Sequence, residues 1–228
     1  MGRWPTSAEE LIHEQATLAA ATPPPWRLPL GAAVGGCFLC FERGLRGPGR
    51  PGDRAWAAAA LGDVTAVVAG VARAAYEPGL LALREGCLLE RAVRALPRRP
   101  DVLLVNATGR DHPRRAGLAL QLGAVLDLPT VGVTHRAFLA AGERPEDEPA
   151  GRRPLVLAGE VVGHWLRTSR GARPLAIHAA WRTDPDTAVD VLLACTAGVR
   201  TPEPLRRART TARAARATRR PRAGPKPP

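Results

Sequence analysis

The segment from Asp101 to His135, DVLLVNATGRDHPRRAGLALQLGAVLDLPTVGVTH, gathers the residues of this chain whose types and spacing suit chemistry. Its apolar run Val102-Leu103-Leu104-Val105 reads as a fully buried strand of an α/β sheet. The run ends on Asn106 and the turn residues Ala107-Thr108-Gly109. In open α/β sheets, ligands and catalytic groups collect where strands end and loops begin. Metal-assisted hydrolysis at such a place calls for a carboxylate, because Mg2+ takes hard oxygen ligands. This chain puts an amide there. His112-Pro113-Arg114-Arg115 follows, with Pro113 read as the first-turn proline of a helix that Ala116 to Leu126 continues. The N-terminus of such a helix attracts phosphate. Elsewhere, Cys37-x-x-Cys40 has neither a second cysteine pair nor a nearby histidine pair. The four cysteines, Cys37, Cys40, Cys87 and Cys195, are therefore read as buried, reduced thiols rather than metal ligands.

The elements that must hold these residues are legible from periodicity. Ser7 to Ala21 reads as a helix, with Ser7 as N-cap and Glu10 as its capping-box partner. Thr22-Pro23-Pro24-Pro25 stops it. Ala32 to Phe41 and Val64 to Val71 are expected strands, joined by a Gly/Pro-rich loop. Leu80 to Leu96 carries apolar residues at helical spacing. Thr130 to Val133 is a further buried strand, 140–154 a polar loop, and 155–167 a hairpin turning at Ala158-Gly159-Glu160. A strand near 174–178 and helices from 184 and 204 complete the body. Strands interleaved with helices indicate an α/β class.

At 228 residues and 45% hydrophobic content, the chain has room for one cored domain with extensions. An N-terminal helix and Pro-rich connector are expected at 1–25, a domain at 26–205 and a basic tail at 206–228, read as a helix end followed by disorder. The formal charge is +12, and the tail, with eight arginines, Lys226 and no acidic residue, accounts for +9 of it. The body therefore carries +3, so charge alone does not mark it as a nucleic-acid binder, whereas the arm suits salt-dependent phosphate contact. No apolar run reaches the roughly 18 residues that span a bilayer. Nor does MGRWPTSAEELIHEQ have a signal-peptide core. A cytoplasmic monomer without membrane contact is expected.

Tyr76-Glu77-Pro78-Gly79-Leu80-Leu81-Ala82-Leu83-Arg84-Glu85, then Asn106 to Gly109, then His112-Pro113-Arg114-Arg115-Ala116-Gly117-Leu118-Ala119 resemble the endonuclease V family. Leu128-Pro129-Thr130-Val131-Gly132-Val133, Gly159-Glu160-Val161-Val162-Gly163 and Pro202-Glu203-Pro204-Leu205-Arg206 continue the likeness, which runs in order from about Trp4 to Arg209. The resemblance implies an RNase H-like fold, a mixed sheet with helices on both faces. It also implies Mg2+-dependent nicking of DNA near deoxyinosine, or of RNA containing inosine. The family's three metal-site carboxylates would fall on Phe38, Glu85 and Asn106, and only Glu85 is an acid here. Asn106 offers a neutral oxygen and Phe38 nothing. Glu42 lies about 13 Å further along the strand than Phe38, too far for simple replacement. Asp111 would serve only if its loop folds back. His135 stands where the family carries a basic lysine.

The resemblance further implies that Tyr76 and Pro78 form a wedge beside the lesion, and stacking on an unpaired base is worth about 1–3 kcal/mol. Gly79 and Gly109 would let the backbone approach a flipped base. His112, with Arg114 beside it, would lie near the scissile phosphate, and Arg84 is a scaffold or salt-bridge residue. The expectation is a protein that binds DNA or RNA with its cleavage lost or strongly reduced. Two alternatives are an active endonuclease with a metal site rearranged around Glu85, and an interaction protein whose cleft is vestigial.

Overall fold

Thirteen elements alternate along the computed structural model, which describes residues 4–196 and 198–218. The strands are β1 (Val34–Phe41), β2 (Arg54–Leu61), β3 (Val64–Val71), β4 (Val102–Val105), β5 (Thr130–Thr134), β6 (Arg152–Leu157), β7 (Glu160–Leu166) and β8 (Leu175–Ala179). The helices are α1 (Ala8–Ala20), α2 (Leu81–Arg94), α3 (Leu118–Leu126), α4 (Pro185–Ala194) and α5 (Glu203–Thr218). One sheet holds all eight strands in the order β3-β2-β1-β4-β5-β8-β7-β6. β4 lies parallel to both β1 and β5, and the remaining pairs are antiparallel. This is the mixed, RNase H-like sheet expected from the sequence.

Strand alternation sends neighbouring side chains to opposite faces. Ala55, Ala57, Ala59 and Leu61 of β2 join Leu88, Leu89 and Ala92 of α2 in one core, with α3 beyond them. Trp56 and Ala58 turn the other way, onto Ala212 of α5. Further along, Val102, Leu104, Val131 and Val133 meet Val189 and Leu192 of α4 on that second face. Helices therefore cover both faces, and the central strands are apolar on both sides. Gly36 marks where α5 docks. A Cβ there would lie 2.6 Å from the Pro204 carbonyl carbon, so the helix start rests on bare β1 backbone.

Four expectations change. Arg54–Leu61 is a strand where a loop was expected; its run of alanines carries little strand propensity, and burial between α2 and α5 holds it in place. The hairpin starts at Arg152 rather than 155, because β6 is an edge strand and tolerates arginines and Pro154. The helix expected from Pro113 begins only at Leu118, after extended Gly117, and His112–Arg115 form a tight turn with Arg115 at φ +56°. The helix expected from 204, read as ending within the tail before disorder, continues to Thr218, with Ala208 and Ala212 fully buried. The rest of the tail, 219–228, lies outside the described residues. Ser7 caps α1 as expected, its hydroxyl accepting from the Glu10 N–H at 3.1 Å. Among the described residues, no helix is long and apolar enough to cross a membrane.

Candidate functional site

The register of the parallel strands lines up one edge of the sheet. Cys37 pairs with Val105, and Val105 with Gly132. The next residues along, Phe38 on β1 and Asn106 beyond β4, therefore stand side by side, with Thr134 ending β5 and His135 just past it. Two cavities open along this edge, and exposed Asn106 borders both. The larger, about 290 Å³, is lined by Tyr76, Gly79, His112, Arg136 and Phe138 among others. The smaller, about 200 Å³, is lined by Phe38, His135, Thr201 and Arg209 among others.

The Tyr76–Gly79 segment is held from beneath. Gly79 sits at φ +82°, a backbone conformation that favours glycine. Its carbonyl accepts from Gln15 Nε2 at 3.0 Å and Arg114 Nη2 at 2.9 Å, and pairs with His112 Nε2 at 3.1 Å. Gln15, buried on α1, also accepts from Arg114 Nε. The Arg114 main-chain N–H donates to His112 Nδ1, so the ring fits a neutral tautomer protonated on Nε2. Burial, opposed by the bond to Gly79, pushes His112 down to about 4. His112 and Arg114 thus anchor the loop. The Tyr76 side chain projects from that loop and is 49% exposed, with Pro78 exposed beside it.

Gly109 packs tightly against β8. It is buried, and a side chain there would collide with the Ala179 carbonyl oxygen, so its small size serves the packing of the strand-end turn against β8. Asp111 is also committed elsewhere. Its carboxylate is fully buried and accepts from the N–H groups of Phe138, Leu139 and Ala140 at 2.6–2.8 Å. It shapes one wall of the larger cavity. His178 faces it with Nδ1 at 3.6 Å.

Glu85 is half-buried on α2, near enough to Cys37 for its charge to add to the burial that raises the thiol. Burial pushes the Glu85 carboxyl up to about 7, against the pull of Arg84. It makes no hydrogen bond or ion pair among the described residues and lines neither cavity. Arg84 is the scaffold residue expected, bonded to Asp53 at 2.8 Å and the Ala74 carbonyl at 2.6 Å, over the Phe41 ring. Phe38 shares its strand face with Gly36 and turns toward α5. The guanidinium carbons of Arg209 and Arg213 each lie 5.9 Å from its ring centroid. His135 is lowered first by burial, then by Arg200 and Arg209.

A divalent metal does not fit this edge. Protein-bound Mg2+ takes hard oxygen ligands, with at least one or two carboxylates holding it beside waters and substrate phosphates. The edge offers one neutral amide, one histidine, two threonine hydroxyls, an aromatic ring and the Arg209 guanidinium, with Arg213 near the ring but no carboxylate, and the described residues hold no cluster of three His, Cys, Asp or Glu side chains. Glu42, just past the end of β1, lines neither cavity. The structure thus brings Tyr76, Gly79, Asn106 and His112 to one cavity, and Phe38, Asn106 and His135 to the other, and leaves Glu85 apart. Sequence reasoning missed Gln15, Arg136, Phe138, Arg209 and Arg213. For the last two a signal existed, since Leu205, Ala208 and Ala212 repeat at helical spacing and extend the helix expected from 204 well into the basic stretch.

A family model described as Endonuclease V matches residues 58–210. The endonuclease V of Nocardia farcinica is 37% identical over 221 residues, covering 92% of this chain and 93% of its own length. Among solved structures, the endonuclease V of Streptomyces avermitilis superposes with a TM-score of 0.81 at 33% identity, covering 95% of this chain and 96% of that one. Endonuclease V of Ciona intestinalis, solved with a 24mer DNA containing an inosine followed by a ribo-adenosine, shares the fold at a TM-score of 0.74 and 18% identity, covering 92% and 98%.

Proposed function

The chain belongs to the endonuclease V family, and from that premise we propose that it binds deaminated DNA or inosine-containing RNA with its metal-dependent cleavage lost or strongly reduced. The observation that carries the second half is the packing of Phe38 under Arg209 and Arg213, level with Asn106. Both positions are where the family resemblance puts a carboxylate. An aromatic ring and two cations there favour an anionic ligand and oppose a divalent ion.

The binding half rests on the larger cavity. An enzyme that acts on a base takes it out of the stack, into a pocket with an apolar or aromatic wall. In this reading Tyr76, which lines the cavity, and exposed Pro78 beside it act as the wedge, on a loop braced by Gln15, His112 and Arg114. Exposed Phe138 supplies part of the aromatic wall, with its ring centroid 6.1 Å from that of His112. The DNA held by the Ciona relative motivates the choice of ligand.

The other readings have less support. A rearranged metal site would need Asp111 or Glu42 beside Glu85, and all that Asp111 offers is already bonded to three main-chain amides. A purely vestigial cleft would favour a buried Tyr76, which is instead half exposed. The test compares binding and nicking of a single-deoxyinosine duplex. Binding in EDTA is expected to persist, and nicking with Mg2+ or Mn2+ to stay at the background of Glu85→Ala. Nicking by the wild type that disappears in Glu85→Ala would establish a substitute ligand set and overturn the loss of cleavage.

A further inference from the structure

We propose that Arg209, His135 and Asn106, which line the smaller cavity, form a metal-independent clamp for a phosphate group together with exposed Arg213, which lies near the same Phe38 ring. α5 itself supplies the contrast. Arg206 pairs with Glu203, Arg207 with Glu203 at 3.0 Å and Asp63 at 2.9 Å, and Arg216 Nη1 donates to the Phe41 carbonyl at 3.1 Å. Arg209 and Arg213 alone among the described arginines of this helix have neither a hydrogen bond nor an ion pair. They are also the two that lie over Phe38.

Their spacing sharpens the point. Residues four apart share a helix face, and like charges there repel. Burial, Arg209 and Arg216 together hold the Arg213 guanidinium below its usual range. Arg209 Nε is a buried donor without a partner, the kind of group that costs about 1–3 kcal/mol when left unmade. Water screens the repulsion at exposed Arg213, so the orphan N–H of Arg209 is the larger cost, and an anion held by both guanidiniums would relieve it.

The rest of the cavity suits a phosphate. His135 lines it within the field of Arg200 and Arg209, Asn106 adds an exposed amide donor, and Thr201 borders it. Guanidiniums meet phosphate oxygens through paired N–H bonds. They supply positive charge at the place where a family metal would, without a bound water to activate. A clamp of this kind holds a phosphate and leaves it uncleaved. That the phosphate belongs to a nucleic-acid strand rests on the function proposed above; the clamp itself does not.

The experiment has two arms, both in EDTA and on the full chain. In the first, the Arg209 Nε–H resonance, assigned by its loss in Arg209→Lys, is followed as inorganic phosphate is added. In the second, a labelled single-stranded oligonucleotide with one deoxyinosine is titrated at several salt concentrations. The wild type is compared with Arg209→Ala/Arg213→Ala, with the Lys/Lys pair, and with Arg206→Ala as a control. Thermal melts establish that each variant folds. The resonance is expected to shift with phosphate. The slope of log K against log salt is expected to fall by about 0.7 in the Ala/Ala pair, the value for one phosphate of a single strand, and to be largely kept in Lys/Lys. A phosphate shift with no oligonucleotide binding supports the clamp as a site for a free phosphate monoester and sinks the nucleic-acid reading. An unmoved resonance together with an unchanged slope overturns the clamp and leaves nucleic-acid binding standing.

Discussion

Phe38 and Asn106 differ from acidic residues by one side chain each, yet acids at those two positions alone are not expected to make a metal site. A carboxylate at position 38 would face Arg209 and Arg213, whose guanidinium carbons already lie 5.9 Å from the ring it replaces. Charge-assisted bonds to those two would use the new oxygens. The double variant Phe38→Asp/Asn106→Asp is therefore expected to bind Mn2+ hardly better than the wild type in an EPR titration. Adding Arg209→Ala and Arg213→Ala is expected to tighten it by at least about tenfold, since hard-cation affinity follows ligand charge. Tight Mn2+ binding by the double variant alone would show that the arginines do not govern the site. Tyr76 makes the complementary case, being half exposed on a braced loop. Tyr76→Ala is expected to weaken binding of a deoxyinosine oligonucleotide by about 5- to 150-fold, with the melting temperature unchanged. An unchanged affinity would remove the wedge. At this scale the sequence exposed the residues by type, the missing acids and the lone tyrosine. It did not expose their partners, because Asp111 is taken up by amides 27 to 29 residues away and Gly79 is held by Gln15, 64 residues earlier.

α5 is the element on which the smaller cavity depends, since it brings Leu205 and Arg209 to the wall opposite Asn106. Its seat is Gly36, whose Cβ position is filled by Pro204 and Leu205 backbone. Gly36→Ala is expected to destabilise the fold by about 1–3 kcal/mol in urea unfolding, the usual cost of overpacking. It is also expected to loosen α5, read as faster tryptic cleavage after Arg213. Wild-type cleavage rates would show that the helix is held elsewhere along its length. The same helix explains why part of the fold was hidden in the sequence. An apolar run such as Val102-Leu103-Leu104-Val105 declares a buried strand, and the Ser7 cap declares a helix start. An alanine run that becomes a strand, and an arginine-rich stretch that becomes a core-packing helix, declare neither. Each is set by the other: the small side chains of β2 let α2 and α5 approach from its two faces, and Ala208, Ala212 and Ala215 give α5 a small surface that returns the contact.

Across the whole molecule, the buried titratable groups set how stability responds to pH. His112 and His178 are each pushed down to about 4, chiefly by burial, with Asp111 pulling His178 back. Both are neutral in the fold, while their unfolded counterparts take up protons near pH 6.5. Their contribution to stability is therefore complete above about pH 6.5 and is lost as pH falls from there through 4. Glu85 has the opposite sign. Raised to about 7, it keeps a proton in the fold that the unfolded chain releases near 4.5, so its contribution is complete below 4.5 and fades as pH rises through 7. Two histidines outweigh one glutamate on the acid side. Urea unfolding of the wild type is expected to show falling stability from pH 6.5 to 4, of which His112 accounts for at most about 3 kcal/mol. The slope is expected to be shallower in His112→Gln, where nothing titrates at that position, and steeper in Glu85→Gln, where the opposing group is gone. Parallel curves for all three proteins would mean that neither residue is held in the charge state its burial implies. Protonating His112 would also cost the bond from the Arg114 N–H to Nδ1, which helps to brace the Gly79 loop. The oligonucleotide affinity of the wild type is therefore expected to drop as pH falls toward 4, ahead of global unfolding, and this early loss is expected to be smaller in His112→Gln.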